Sequence, residues 1–125
     1  MDDLSPFFRS VIDQDDMPVV ICNTAHEIVY MNPAAEEHYA DRGGRKLIGL
    51  IIFDCHSPQS SRRIKEVVDW FALDRGNNVV HTHYGEETGK DIYMVALRDR
   101  DGNLIGYYEK HVSRIRDPSP TYRMP

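Results

Sequence analysis

Ile28-Val29-Tyr30-Met31-Asn32-Pro33-Ala34-Ala35 contains the change of backbone state on which the reading of this chain turns. Its first four residues are β-branched, aromatic or otherwise apolar and read as a strand. Asn32 then reads as a helix N-cap, with Pro33 at the first helical position, where its missing N–H costs nothing. A strand therefore feeds directly into a short helix running to about Tyr39, and Gly43-Gly44 ends it. Upstream, Pro18 opens the apolar run Val19-Val20-Ile21-Cys22, a buried strand, and Asn23-Thr24-Ala25-His26 is the polar turn between the two strands.

Outward from this hairpin the elements alternate in period. Leu4, Phe7, Phe8, Val11 and Ile12 fall at the spacing of one helix face, with Ser5 as the expected N-cap and Pro6 in the first turn. Downstream, Lys46 to Phe53 is an apolar stretch of which at least part reads as a short helix. Ser57-Pro58 is a second cap-plus-proline start. Ile64, Val67, Val68 and Phe71 mark the buried face of a long helix, stopped in the segment 74–78 around Gly76. The period then changes to two. Strands are expected over 79–84, 91–98 and 104 to about 115, with Asp101-Gly102-Asn103 as the last hairpin turn. Strands at both ends with helices between them predict an α+β fold: a five-stranded antiparallel sheet, helices packed on one face, and an N-terminal amphipathic helix. The expected organisation is a helical cap over 1–16, a domain over 17–116 and a tail or linker stub over 117–125.

Composition excludes several function classes. At 125 residues, 28% charged and 41% hydrophobic, the chain predicts one folded domain with a real core. Lys plus Arg is 15 against 20 for Asp plus Glu, a net charge of -5, which offers no basic field for a nucleic acid. No apolar run approaches the roughly 18 residues of a membrane span, and the start Met1-Asp2-Asp3 lacks signal-peptide character. Two cysteines, Cys22 and Cys55, read as reduced thiols in a cytoplasmic domain.

The order of elements, with Asn32-Pro33-Ala34-Ala35 directly behind the second strand, resembles the PAS domain. Met17 to Asn23, Glu27 to Asn32 and Arg98 to Gly106 fit its first, second and last-hairpin stretches, and the likeness covers about residues 7 to 116. Cys55-His56-Ser57-Pro58 further resembles a bacterial subgroup with a Cys-His-x-Pro stretch before the long helix. The resemblance implies a sensory or docking module in bacterial regulation rather than a catalyst. It also implies a cavity between sheet and helices, and output through the N-terminal helix into a homodimer or an output protein or domain.

Candidate sites follow from that frame. One alternating set of strand residues faces the helices, Ile92, Met94 and Ala96 or Tyr93, Val95 and Leu97. The candidate cavity lining is Met31, Ile51, Phe53, His56, Ile64, Phe71, Tyr93, Val95 and Tyr108, suited to a small, weakly polar or acyl ligand. Sequence leaves open whether side chains fill that space, so a ligand-free docking domain is the alternative. Leu4, Phe7, Phe8, Val11 and Ile12 are the expected dimer or partner contact. Flavin is disfavoured, because Asp54-Cys55-His56-Ser57 lacks the Asn-Cys-Arg stretch of the light-sensing members. Haem needs an axial donor; the long helix has no histidine and His56 is the best substitute, but a side chain hydrogen-bonded near the helix start is the favoured reading of His56. His81 and His83, two apart on a strand, share one face and want a third ligand for a metal. His26 and His38 are expected at the surface. No serine elbow, phosphate cradle or paired-carboxylate pattern supports an enzyme.

Overall fold

A polar N-cap followed by proline starts both helices of the helical side, as the sequence predicts. In chain order the computed structural model, which describes residues 3–124, runs α1 (Ser5–Asp13), β1 (Val20–Asn23), β2 (Ile28–Met31), α2 (Pro33–His38), α3 (Pro58–Leu73), β3 (Val79–Gly85), β4 (Lys90–Arg98) and β5 (Leu104–Ser113). Short 3-10 turns at Ala40–Arg42, Gly44–Leu47 and Ile52–Cys55 connect α2 to α3. Met1, Asp2 and Pro125, at the extremities of the expected cap and tail, lie outside the described residues. Among the described residues, no helix is long and apolar enough to cross a membrane.

The five strands form one sheet in the order β2-β1-β5-β4-β3, every neighbouring pair antiparallel. The N-terminal hairpin thus docks against the last strand, which makes β5 central. Gly106 permits that docking: a Cβ there would run into the Cys22 carbonyl oxygen across the β1–β5 pairing. Gly102, at φ +84°, turns β4 into β5, and Asp99 Oδ1 accepts from the Asp101 and Asn103 backbone N–H groups to brace the turn.

The core lies between the inner sheet face and the helical side. Cys22, Ile28, Met31, Met94 and Tyr107 from the sheet meet Ala35, Ile52, Val68 and Phe71 from the other layer. Phe71 is fully enclosed, a burial worth roughly 2–3 kcal/mol. The end of α3 differs from expectation. No left-handed glycine closes it; Asp74 is extended, and Arg98 of β4 reaches over to take the orphan carbonyls. Its Nη2 donates to Phe71 O at 2.7 Å and to the Asp74 and Asn77 carbonyls at 3.1 Å, while Nε donates to Asn78 Oδ1 at 2.7 Å. The start of α1 differs as well. Ser5 is the first helical residue rather than the cap, and Asp3 Oδ1 accepts its N–H at 2.9 Å.

Asn32 is completely buried and joins three elements. Its Oδ1 accepts from Val19 N and Ala35 N, both at 2.9 Å, so one oxygen aligns the entry to β1 and caps α2. Its Nδ2 donates at 3.0 Å to Ile12 O and to Met17 O, holding the end of α1 and the linker behind it. Asn32→Ala strands these groups and should cost about 2–4 kcal/mol in urea unfolding. Asn32→Asp keeps the acceptor but sets a carboxylate against the Ile12 and Met17 carbonyls. It should therefore speed hydrogen exchange over 5–14 more than in the sheet. Wild-type exchange of α1 in the Asp variant would show that Asn32 does not hold that helix.

Candidate functional site

Strand alternation decides what looks into the space between the layers. Val20 and Cys22 of β1, Tyr107 and Glu109 of β5, Ile92 and Met94 of β4 and Val80 of β3 face it from the sheet. Ile52, His56, Ser60, Ile64 and Val67 close it from the helical side. They enclose a cavity of about 580 Å³, with exposed Arg63, Glu66 and His83 at its mouth. A side pocket of about 40 Å³ adjoins it, lined by Ile28, Met31, Tyr39, Leu47 and Cys55 with exposed Arg42, and sharing Val20, Ile52, His56 and Glu109 with the main cavity.

The structure divides the expected lining residues. His56 and Ile64 line the main cavity, and Met31 with His56 lines the side pocket. Phe71 is core beneath the cavity; Phe53 packs on the core and stacks on His26 at 4.4 Å, and Ile51 bridges to Glu27 at the sheet edge. Tyr93, Val95 and Tyr108 stand on the opposite, outer face. Tyr108 pairs with Val95 and with Ile21, and the Tyr93 hydroxyl accepts from Arg114 Nη2 at 2.8 Å. The inner set is therefore Ile92, Met94 and Ala96. Trp70 is 40% exposed on α3.

The histidines are redistributed too. A β-bulge between His81 and His83 breaks the shared face that alternation predicts. His81 pairs with Tyr93 and shares a 2.8 Å hydrogen bond with Asp91 on the outer side, whereas His83 pairs with cavity-facing Ile92. Among the described residues no three His, Cys, Asp or Glu side chains group to hold a metal. His38 is exposed as expected, but His26 is half-buried, sharing a 2.8 Å hydrogen bond through Nδ1 with the Tyr107 hydroxyl. Burial, followed by the charge of Lys65, holds its pKa below the usual imidazole value. His56 does what its place before α3 suggests: Nδ1 bonds the Ile52 carbonyl at 3.0 Å, leaving Nε2 free of that bond.

Two features of the site escape sequence reading. Cys22 and Tyr107, register partners on β1 and β5, form a buried floor in which burial pushes the Cys22 thiol up to about 12 and the Tyr107 hydroxyl above its ordinary range. Glu109, two residues on and opposite Met94, puts a carboxyl group into both cavities. Burial raises its pKa, against the opposing charges of His56, His38 and His83. The available signal was parity: once Tyr107 faces the core, Glu109 must follow it. Chemically, the arrangement offers apolar walls, one carboxyl group and a polar mouth, the make-up of a small-molecule site.

A PAS fold family model matches residues 12–112. The chain belongs to the PAS-fold family. No curated protein matches it. Among solved structures it is similar to the PAS domain of a protein from Colwellia psychrerythraea, at 14% identity and TM-score 0.64 over 89% of this chain and 97% of that one. The PAS domain of Bordetella pertussis BvgS gives 17% identity and TM-score 0.60 over 94% and 90% of the two chains. A sensory box sensor histidine kinase structure from Vibrio cholerae gives 14% identity and TM-score 0.55 over 86% and 91%. At these identities the likeness is one of fold.

Two measurements check this chemistry. Under native conditions at pH 8 a disulfide reagent should titrate Cys55 alone, with Cys22 reacting only after unfolding; two fast thiols would show that the floor is open. Glu109→Gln should change stability with a defined sign. A carboxyl group whose folded pKa is raised costs nothing below its unfolded value, and its penalty grows as pH rises to the folded value. The variant should thus match wild type near pH 4 and melt higher than wild type at pH 8; an unchanged difference across that window contradicts a raised Glu109.

Proposed function

We propose that this PAS domain is a non-catalytic sensory module that binds a small molecule in the cavity under α3 and reports occupancy through α1 to a second copy of the chain. The cavity of about 580 Å³ carries this reading, because it combines an apolar interior with a polar mouth in a fold used for sensing. Coupling has a short path. Met31 lines the side pocket, its neighbour Asn32 bonds Ile12 O, and Ile12 is the half-buried end of the α1 stripe. Ligand that favours one packing of β1 and β2 thereby shifts the population of α1 positions.

The dimer reading rests on what α1 leaves uncovered. Leu4, Phe7, Phe8 and Val11 are between 51% and 74% exposed, an apolar stripe that its own domain does not bury. Beside it the outer sheet face carries a register-matched row, Tyr30, Ile21, Tyr108, Val95 and Val79, that crosses all five strands. Helix and row together make a self-complementary surface for a two-fold contact. Exposure of the same surface also favours a second reading, a domain that docks an output protein without any ligand. The free thiols of Cys22 and Cys55 suit a cytoplasmic setting.

Native mass spectrometry of protein purified from its own host, with an absorbance scan of the same sample, separates these readings. The expected result is a colourless dimer carrying a defined extra mass, which Ile64→Trp removes by filling the cavity. Phe7→Glu with Val11→Glu should yield a monomer that keeps the extra mass. A bare dimer would transfer the proposal to docking, and a Soret band would bring in haem with His56→Ala as the deciding variant.

A further inference from the structure

Glu109 places a carboxyl group where an apolar cavity has little to offer it. It stands on central β5 beside the buried ring of Tyr107 and opposite Met94, and it is the one acidic side chain shared by the main cavity and the side pocket. Ion pairs among the described residues join Arg9 to Asp13 and both His81 and Arg114 to Asp91; Glu109 enters none of them. No hydrogen bond among the described residues satisfies its carboxyl group either, and His38, His56 and His83 act on it only through space. A partly buried carboxylate without protein donors keeps only part of its hydration, and a ligand that supplies donors restores what is lost.

The charges around the cavity indicate which ligand that is. Glu109 lies inside and Glu66 at the mouth of the main cavity; the fixed cations, Arg63 at that mouth and Arg42 on the side pocket, are both exposed, and neither is among the charges that act on Glu109. An anionic ligand would set its charge against Glu109 at short range in a poorly solvated space. A purely apolar one would leave the carboxylate as it is. Tyr107 and Tyr39 stand in the walls of the main cavity and the side pocket, and aromatic rings, unlike carboxylates, do not repel or demand a particular charge beyond favouring a cation at their faces.

We propose that the cavity ligand is a small organic cation, an apolar body lying along Ile52, Ile64, Ile92 and Met94 with a protonated nitrogen donating to the Glu109 carboxylate. This rests on the reading of the cavity as a ligand site. It adds the chemical class: amines of alkyl or aryl type rather than fatty acids or neutral acyl compounds.

Three probes of nearly equal shape test it on the whole chain: 2-phenylethylamine, 2-phenylethanol and 3-phenylpropanoate, followed at pH 7.5 through the Met94, Ile64 and Ile92 methyl resonances. The amine should bind at least tenfold more tightly than the alcohol, and the propanoate most weakly. Glu109→Gln, which keeps the side-chain shape, should bring the amine to the level of the alcohol and leave the alcohol unchanged. Glu109→Ala should repeat that loss, while Ile64→Trp should abolish both ligands. Equal binding of amine and alcohol in the wild-type protein, or an amine preference that survives Glu109→Gln, overturns the assignment while the cavity reading stands. Failure of all three probes to shift the cavity methyls overturns both.

Discussion

One amide side chain, Asn32, fixes the relation between the parts of this domain. Both of its polar ends are used inside the protein, with the oxygen serving β1 and α2 and the nitrogen serving α1 and its linker. No other residue type offers an acceptor and two donors in so short a planar group. Because Asn32 is fully buried, none of these bonds is replaceable by water at low cost. Strand, helix and N-terminal extension must therefore take up their mutual positions together. The sheet–helix cavity and the exposed α1 stripe are consequences of that one junction, placed on either side of it.

The cavity itself is a matter of side-chain size and parity. Along the inner face the strands present medium or slender groups at the positions under α3, Val20, Cys22, Val80, Ile92 and Met94. The largest fully enclosed ring, Phe71, lies further along α3 in the core. Trp70, the chain's one tryptophan, points away from the layer. The bulky strand residues Tyr93 and Tyr108 fall on the other face, where they pair with Arg114 and Val95 instead of filling the interior. Space remains between the layers although Tyr107 faces it, because alternation sends Tyr93 and Tyr108 outward.

Much of this was legible in local sequence. The five strands, both proline-started helices and the amphipathic α1 follow from period, capping and turn residues, because each is a short-range effect. What failed was whatever depended on a neighbour in space. For β4 two faces were equally plausible, since Ile92-Tyr93-Met94-Val95 is apolar on both sides; only the pairing with β5, where Tyr107 is buried, selects one. His81 and His83 obey the rule of two until a bulge separates them, and bulges leave no mark in an isolated strand. His26 reads as turn residue and surface; its burial comes from Tyr107 and Phe53, one of them 81 positions away. Arg98 looks like a charged strand end, yet its guanidinium closes α3 through carbonyls that no sequence pattern displays.

The energetics of α1 bear on how such a module can signal. Apart from Ile12 and Asp13 its residues are exposed, so packing contributes little to its docked position. The helix is held by the Asn32 bond to Ile12 O, by the Tyr30 hydroxyl donating to Asp13 and by Arg9 over the Tyr30 ring at 5.3 Å. A neutral hydrogen bond contributes about 1 kcal/mol, one to a carboxylate about 1.5–3 kcal/mol and an exposed cation–π contact about 0.5–1 kcal/mol. The docked and displaced states of α1 therefore differ by only a few kcal/mol, the range in which the minor state is appreciably populated. A ligand shifts such a balance only by its difference in affinity for the two states. If the cavity signals through Met31 as proposed, small changes in its packing suffice, because few interactions hold α1 in place. A helix buried in its own domain would need a far larger perturbation.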